Sequence, residues 1–475
     1  MPDLSVRNFA GVINAPNPFW LASGPPTNTG EMIMRAFDAG WGGAVWKTIG
    51  EPVVNTASRY SSVDWQGQRI VGFSNIELIS DRTVEVNLAE MAEVKKRYPK
   101  HVVIASLMVA SNREAWHKIV ARAEDAGADG LELNFGCPHG MSERGMGSAV
   151  GQVPEYAEMI TAWVKEKART PVLVKLTPNI SDIRTVARAA KRGGADGLSA
   201  INTINSITGI DLDTFIPRPN VDGKSSHSGY CGPAVKPIAL NMVQQIMSDP
   251  ESALPLAGIG GIGAWRDVAE FMLLGCGAVQ VCTAVMHYGY RIVEDMAEGL
   301  DNWMRAKGFS QLEDFRGLSL KRVTEWKHLN LNYKIVAHID EQKCIGCDLC
   351  HIACWDGAHQ CIHLDRISGP VDGPVERHPI PAEREARSRA SIAETPVTRK
   401  ERAAAADGQG PYPTPLGRIP RVDETECVGC NLCSLVCPVD NCITMVRVDQ
   451  GVAPETWDQR THSAACITQP QPQAR

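Results

Sequence analysis

From Trp20 to Val285 the chain alternates between short apolar runs and longer stretches whose apolar positions recur at helical spacing. The apolar runs are Trp20–Ser23, Ala44–Thr48, Val102–Met108, Leu131–Gly136, Val172–Thr177, Gly197–Thr203, Leu256–Ile262 and Val279–Val285, each of a length that suits a buried strand. The amphipathic spacing predicts helices over Arg113–Ala126, Val153–Ala168, Ser181–Gly193 and Trp265–Leu274. Ser181 reads as an N-cap and Gly193-Gly194 as a stop. Ala-Gly-Ala-Asp-Gly at 126–130 and Gly-Gly-Ala-Asp-Gly at 193–197 each join a helix to the next strand. Eight strands alternating with helices across residues 1–310 predict an α/β fold, a (β/α)8 TIM barrel. A doubly wound open sheet is the alternative, but no Gly-x-Gly-x-x-Gly opens an early helix. Asp213–Gly232 has no helical period, is rich in Pro, Gly and Ser, and reads as an active-site loop.

After residue 310 the pattern changes. Residues 311–335 read as a helical connector, with Trp303, Phe309, Phe315 and Trp326 available to pack on the barrel. Residues 336–449 form a second module, interrupted at about 366–415 by a low-complexity insertion of mixed charge and low apolar content. Residues 450–475 read as a flexible tail. A chain of 475 residues exceeds one ordinary core, so two or three domains are expected. A net charge of −6 gives no reason to expect nucleic acid or an anionic membrane as partner. Met1–Ala10 lacks the basic and apolar regions of a secretory signal, and no apolar run reaches the length of a spanning helix, so the expected location is cytoplasmic. Most of the 15 cysteines lie after residue 340, which in a reducing compartment points to metal rather than disulfides.

Those cysteines carry the most specific signal. Cys344-x2-Cys347-x2-Cys350-x3-Cys354 is repeated as Cys427-x2-Cys430-x2-Cys433-x3-Cys437-Pro438. This is the bacterial ferredoxin spacing for 4Fe–4S clusters, in which the fourth Cys of each run serves the other cluster. Cys344, Cys347, Cys350 and Cys437 are therefore assigned to one cluster, and Cys427, Cys430, Cys433 and Cys354 to the other. Cys361 and Cys442 fall outside the pattern and read as packing residues; Trp355 stands where the second run has Pro438. The second module is thus a two-cluster ferredoxin-like α+β domain. Its clusters move single electrons, so the barrel needs a carrier that exchanges one electron for two, and a flavin does this. Ile259-Gly260-Gly261-Ile262 ends the seventh strand and Cys282-Thr283 the eighth, where barrels bind phosphate. Lys47 and Lys175 end the second and fifth strands inside apolar runs, and an ammonium there would stabilise a reduced flavin. In Leu131–Met141 an alternating strand hands over to a loop at Gly136-Cys137-Pro138, which puts Cys137 at a C-terminal strand end.

The chain resembles the pyrimidine-reducing subunits of bacterial NAD-dependent dihydropyrimidine dehydrogenases and the C-terminal half of the larger eukaryotic enzymes, both related to dihydroorotate dehydrogenases. The resemblance spans residues 1–365 and 416–447. It rests on Leu21-Ala-Ser, Trp46-Lys-Thr, Asn75-Ile-Glu-Leu-Ile-Ser, Leu131–Met141, Val174-Lys-Leu-Thr-Pro-Asn, Ile201-Asn-Thr, Gly229-Tyr-Cys-Gly-Pro-Ala, Gly260-Gly and Val281-Cys-Thr-Ala. It implies FMN held by Ala22, Ser23, Lys47, Thr48, Lys175, Gly232, Ile259, Gly260, Gly261, Cys282 and Thr283. It implies a uracil or thymine ring contacted by Asn75, Asn134, Asn202 and Thr203, with backbone help near Glu77, Ile79, Phe135 and Gly136. Where relatives often carry Ser, this chain has Gly136, so a hydroxyl contact is lost there.

Reduction of the 5,6 double bond needs a hydride from FMN at one carbon and a proton at the other. Cys137 is the expected general acid, since a thiol is protonated at neutral pH yet can release its proton. Its thiolate must be reprotonated, so it is expected on a solvent-reaching loop, with Gly136–Gly151 as a lid. Without a dinucleotide module of its own, the chain is expected to take electrons from a separate FAD-containing, NADH-oxidising flavoprotein subunit, in a hetero-oligomer such as a heterotetramer. Two alternatives stay open: a dihydroorotate dehydrogenase, whose substrate carboxylate would call for a basic side chain near the ring, and an electron-transfer protein whose barrel is a passive docking module.

Overall fold

The computed structural model describes residues 2–54, 57–65, 68–138, 140–368, 376–379 and 418–462. The chain divides into two compact units, 1–323 and 324–475.

Eight parallel strands close the first unit into a barrel: β1 (Phe19–Leu21), β2 (Gly43–Ile49), β3 (Val102–Leu107), β4 (Gly130–Asn134), β5 (Val172–Lys175), β6 (Gly197–Ala200), β7 (Leu256–Ile259) and β8 (Ala278–Val281). Neighbours in the chain are neighbours in the barrel, and β8 closes on β1 through Val279–Phe19 and Val281–Leu21. Every residue of these strands is buried, as continuous apolar runs require when helices cover the outside. The eight apolar runs are the eight strands, but seven of the strands stop earlier than their runs, and only Gly43–Ile49 runs one residue past its own. Beyond Asn134, Lys175 and Ala200 the next residue, Phe135, Leu176 or Ile201, stays apolar and buried, and hydrophobicity alone does not mark the last ladder bond.

The repeated helix-to-strand phrase has a physical reason. Gly127 and Gly194 both take φ +91°, a left-handed turn that glycine adopts without strain. The Asp two residues later then reaches back to the preceding strand. Asp129 accepts from Val103 N–H and Lys95 Nζ at 2.8 and 2.7 Å, and Asp196 accepts from Val172 N–H and Lys165 Nζ at 2.8 and 2.6 Å. Helix Ile183–Arg192 begins one residue later than the sequence indicates, because Asp182 rather than Ser181 caps it through Arg184 N–H.

Around the C-terminal mouth lies a four-stranded antiparallel sheet that the sequence reading missed. Its order is Ile204–Ser206, Ser228–Cys231, Gln68–Asn75, Tyr60–Trp65. The segment read as the active-site loop therefore ends in a strand, and Gly229 pairs with Asn75 across it.

In place of a helical connector, residues 311–335 hold three single 3-10 turns, Leu312–Asp314, Leu320–Arg322 and Trp326–His328. Trp303, Phe309 and Phe315 form an aromatic cluster with centroids 5.0–5.6 Å apart. Trp326 does not join it: it packs on Trp457 in the second unit, 5.9 Å away. That contact, with Asn332 Nδ2 donating to Ala453 O at 2.8 Å, ties down the segment read as a flexible tail as far as helix Trp457–His462.

The second unit is a pseudo-repeat. Helices Leu349–Gly357 and Leu432–Val436 follow left-handed Asp348 and Asn431. Asp340 N–H donates to Cys442 O and Asp423 N–H to Cys361 O, both at 2.7 Å. Ile335–Ile339 pairs antiparallel with Ile443–Arg447, and Ile362–Ser368 pairs with Arg418–Val422 and Glu376–Pro379. The insertion read as starting at 366 thus opens on a hairpin; 369–375 and 380–417 lie outside the described residues. No helix among the described residues is long and apolar enough to cross a membrane.

Candidate active site and cysteine centres

At the C-terminal ends of the barrel strands lies an open cavity. All eleven residues expected to hold a flavin line it: Ala22, Ser23, Lys47, Thr48, Lys175, Gly232, Ile259, Gly260, Gly261, Cys282 and Thr283. So do Cys137, Asn75, Asn134, Asn202 and Thr203, with Glu77 and Ile79. Phe135 and Gly136 do not. Phe135 is turned into the core against Trp116, at 6.3 Å and edge-on. Gly136 lies beneath Asn202: a Cβ at 136 would come 2.4 Å from Asn202 Cβ. The space a side chain would need at 136 is filled by the Asn202 side chain.

The floor is polar and charged. Glu132, fully buried on β4, accepts through Oε2 from Ser199 Oγ on β6 (2.7 Å) and Gln280 Nε2 on β8 (3.0 Å). Its Oε1 faces Lys175 Nζ at 3.6 Å. Lys47 Nζ donates to Glu77 Oε1 at 2.7 Å. Burial pulls the Glu77 carboxyl upward, but Lys47, Arg59 and Tyr60 outweigh it and hold its pKa below the usual carboxylate value. The same burial, with Glu77 beside it, pushes the Tyr60 phenol well up. Glu132, Gln280, Arg59 and Tyr60 were not read from the sequence; Glu132 inside the apolar run Leu131–Leu133 was the one visible signal.

Hydrogen bonds link the amides. Asn134 Nδ2 donates to Thr48 Oγ1 (2.9 Å), and its Oδ1 accepts from Gly136 N–H (3.2 Å) and Asn202 Nδ2 (3.1 Å). Asn202 Oδ1 accepts from Thr203 N–H at 2.8 Å. Asn75 donates to Gly229 O across the antiparallel sheet (3.1 Å) and accepts from Glu77 N–H (3.1 Å). Thr48 also contacts Ser23 and Ser106 hydroxyls at 3.2 and 2.9 Å.

Cys137 follows β4 by three residues and is 9% exposed. Ile79, Met108, Met141 and Met146 pack around it. Gly147 closes the loop over it: at φ +57°, a Cβ there would meet Cys137 O at 2.7 Å. The thiol is thus largely buried among apolar side chains, yet it lines the open cavity, and its loop is exposed at Glu143, Arg144 and Gly145.

The residues fit a flavin. The wall joins two buried ammonium groups to Gly232 (φ +88°), Gly260 (φ +127°) and Gly261 (φ +72°), and a Cβ at Gly260 or Gly261 would press on Ala239 or Lys236 at 2.7 and 2.8 Å. Gln280 Oε1 is buried in that wall with no hydrogen-bond partner, an acceptor that a bound ring could satisfy. Cys282, read as the end of the eighth strand, sits instead as N-cap of a short helix, Thr283–Tyr288.

In the second unit the sequence-assigned thiols gather in two places. Cys344, Cys347, Cys350 and Cys437 line one cavity, and Cys354, Cys427, Cys430 and Cys433 another. Four thiols converging on one small space fit an iron–sulfur cubane, and each set draws one thiol from the other run. Cys442 lines the first cavity and Cys361 the second, so these two are more than distant packing residues.

A family model described as dihydroorotate dehydrogenase matches residues 7–304, and one described as 4Fe-4S dicluster domain matches 343–441. The chain is 47% identical over 360 residues to the NAD-dependent dihydropyrimidine dehydrogenase subunit PreA of Escherichia coli K12, which covers 75% of this chain and 87% of that one. The chain belongs to the dihydropyrimidine dehydrogenase family. It is an oxidoreductase with the dihydroorotate dehydrogenase barrel and an iron–sulfur domain. The chloroplastic NADP-dependent dihydropyrimidine dehydrogenase of Arabidopsis thaliana is 43% identical over 335 residues, 68% of this chain and 78% of its own. The catalytic subunit of dihydroorotate dehydrogenase B from Pyrococcus abyssi is 38% identical over 312 residues, 64% of this chain and 96% of its own.

Proposed function

We propose that the chain reduces uracil or thymine to the 5,6-dihydropyrimidine at FMN, with electrons delivered through two 4Fe–4S clusters. The observation that carries this reading is one cavity wall that brings together Cys137, three asparagine amides and two buried lysines. FMN would supply a hydride to one ring carbon, and the clusters would feed it single electrons. Cys137 gives its Sγ proton to the neighbouring carbon and is then reprotonated from solvent through the open cavity that it lines. Asn134 and Asn202 each commit one N–H to the protein network and retain a second for a carbonyl of the ring, while the Asn75 amide engages Gly229 O and the Cys231 thiol. Lys47 and Lys175 hold positive charge beside the flavin site.

One observation favours a neutral pyrimidine over orotate. The two lysines that line the wall face Glu77 and Glu132, and burial keeps the lining His287 toward its neutral form. Each lining lysine thus already faces a carboxylate, and neither stands alone to receive a substrate carboxylate. The E. coli relative is named a subunit and NAD-dependent. On that basis we assign the oxidation of NADH to a separate FAD-containing subunit, within a hetero-oligomer. The test is anaerobic titration of the purified chain with uracil, thymine, orotate and their dihydro forms, following flavin and iron–sulfur absorbance. Perturbation by uracil or thymine and not by orotate is expected; perturbation by orotate alone would favour dihydroorotate dehydrogenase.

A further inference from the structure

Each cysteine centre holds a fifth thiol that the ferredoxin spacing does not require. Cys361 Sγ lies 3.5 Å from Cys354 Sγ and is also in hydrogen-bond contact with Cys427. Cys442 stands in the same relation to Cys344 and Cys437. Each extra thiol therefore touches two sulfurs of a single centre, one from each run.

The placement is built twice by the same local structure. A left-handed residue, Gln360 (φ +60°) or Asn441 (φ +56°), turns the chain just before the thiol. A strand starts just after it, at Ile362 or Ile443. The carbonyl of the thiol residue accepts the same cross-repeat N–H, from Asp423 or Asp340. Both thiols are buried, 4% and 2% exposed. A packing role would be met by any small apolar residue, without placing sulfur against the same pair of ligands at both centres.

We propose that Cys361 and Cys442 are positioning residues for the two iron–sulfur centres, each donating its S–H to ligand sulfurs and raising that centre's reduction potential. The proposal rests on the reading that both centres hold 4Fe–4S clusters. Ligand sulfurs on a cluster are acceptors, and hydrogen bonds to them stabilise the reduced, more negative state. The two thiols differ in their competing acceptors. Cys442 Sγ also lies 3.6 Å from Asp340 O, so its proton is shared, and its effect is expected to be the smaller one.

The experiment is an anaerobic redox titration of the full chain, reconstituted with iron and sulfide and followed by electron paramagnetic resonance. Cys361→Ala and Cys442→Ala are each expected to keep the wild-type iron content and to lower one midpoint potential while leaving the other in place. Cys361→Ser and Cys442→Ser, which keep a donor, are expected to bring the midpoint back toward wild type. Unmoved midpoints in alanine variants that hold both clusters would overturn this proposal alone. Iron loss from either alanine variant would make the thiol a ligand or a packing group and would also overturn it. A wild-type chain that takes up no clusters would overturn both this proposal and the functional reading beneath it.

Discussion

Cys137 carries the proposed chemistry because it joins a strand end to a loop at the flavin wall, with Asn134 three residues before it. Cys137→Ala is expected to keep flavin and iron while losing about 10²- to 10⁴-fold in uracil reduction, the usual worth of a positioned acid. Near-normal turnover would remove the thiol from the mechanism. Gly136 matters for a different reason. An added Cβ would press on Asn202 Cβ at 2.4 Å, and a Cβ cannot swing away as a side-chain tip can. Gly136→Ala is therefore expected to cost about 1–3 kcal/mol of fit and to raise KM for uracil about tenfold, with kcat changing less. Unchanged KM would show that Asn202 does not hold the ring. The Glu77 carboxyl sets an acid limit on the site. Its folded-state pKa lies below the unfolded value. Such a group contributes stability that is present above about pH 4.3 and lost as pH falls through the folded value. Flavin retention on ultrafiltration is thus expected to hold through neutrality and to fall only in acid. Release near neutral pH would detach Glu77 and Lys47 from cofactor binding. The sequence made Cys137 and the asparagines legible because they stand at strand ends. It did not show that Phe135 turns inward or that Ile79 and Met108 pack against the thiol, since both depend on packing between distant segments.

The barrel was legible element by element because buried parallel strands are written as uninterrupted apolar runs, and the Gly-x-Asp-Gly joints repeat. The antiparallel sheet at the mouth was not. Its strands come from two insertions, after β2 and after β6, with polar residues such as Ser61, Ser62, Ser74 and Asn205 that carry little strand signal. Their pairing is long-range. The Glu132 layer was likewise hidden, because a single carboxylate in Leu-Glu-Leu reads as ordinary alternation until β6 and β8 supply its donors. That layer makes a prediction at the scale of the barrel. Lys175→Met leaves Glu132 buried with its charge unmatched, which costs about 3–5 kcal/mol. A lower melting temperature together with lost flavin is expected, and Lys175→Met, Glu132→Gln together should recover part of the stability. If the double variant melts no higher than Lys175→Met alone, the two groups are not coupled.

At the scale of the whole molecule, the two units divide the proposed chemistry: one offers the proposed flavin wall and proton donor, the other two sets of thiols. The division was legible because the cysteine spacing is confined to the second unit and the strand rhythm to the first. The connector and tail were less so: short turns and a Trp326–Trp457 contact replace the helix and the loose end that composition indicated. With NADH as the only reductant, the purified chain is expected to show negligible flavin reduction, and rapid reduction by NADH would contradict the assignment of that step to a partner. The central claim is that electrons placed on this chain reach a pyrimidine with Cys137 supplying the proton. The most direct test is to photoreduce the reconstituted chain anaerobically, add uracil with no other enzyme present, and follow flavin reoxidation and dihydrouracil formation in wild type and Cys137→Ala. The account predicts prompt reoxidation with stoichiometric dihydrouracil in the wild type and almost none in the variant. A reduced wild-type chain that stays reduced in uracil, or a variant that reoxidises as fast, would contradict it.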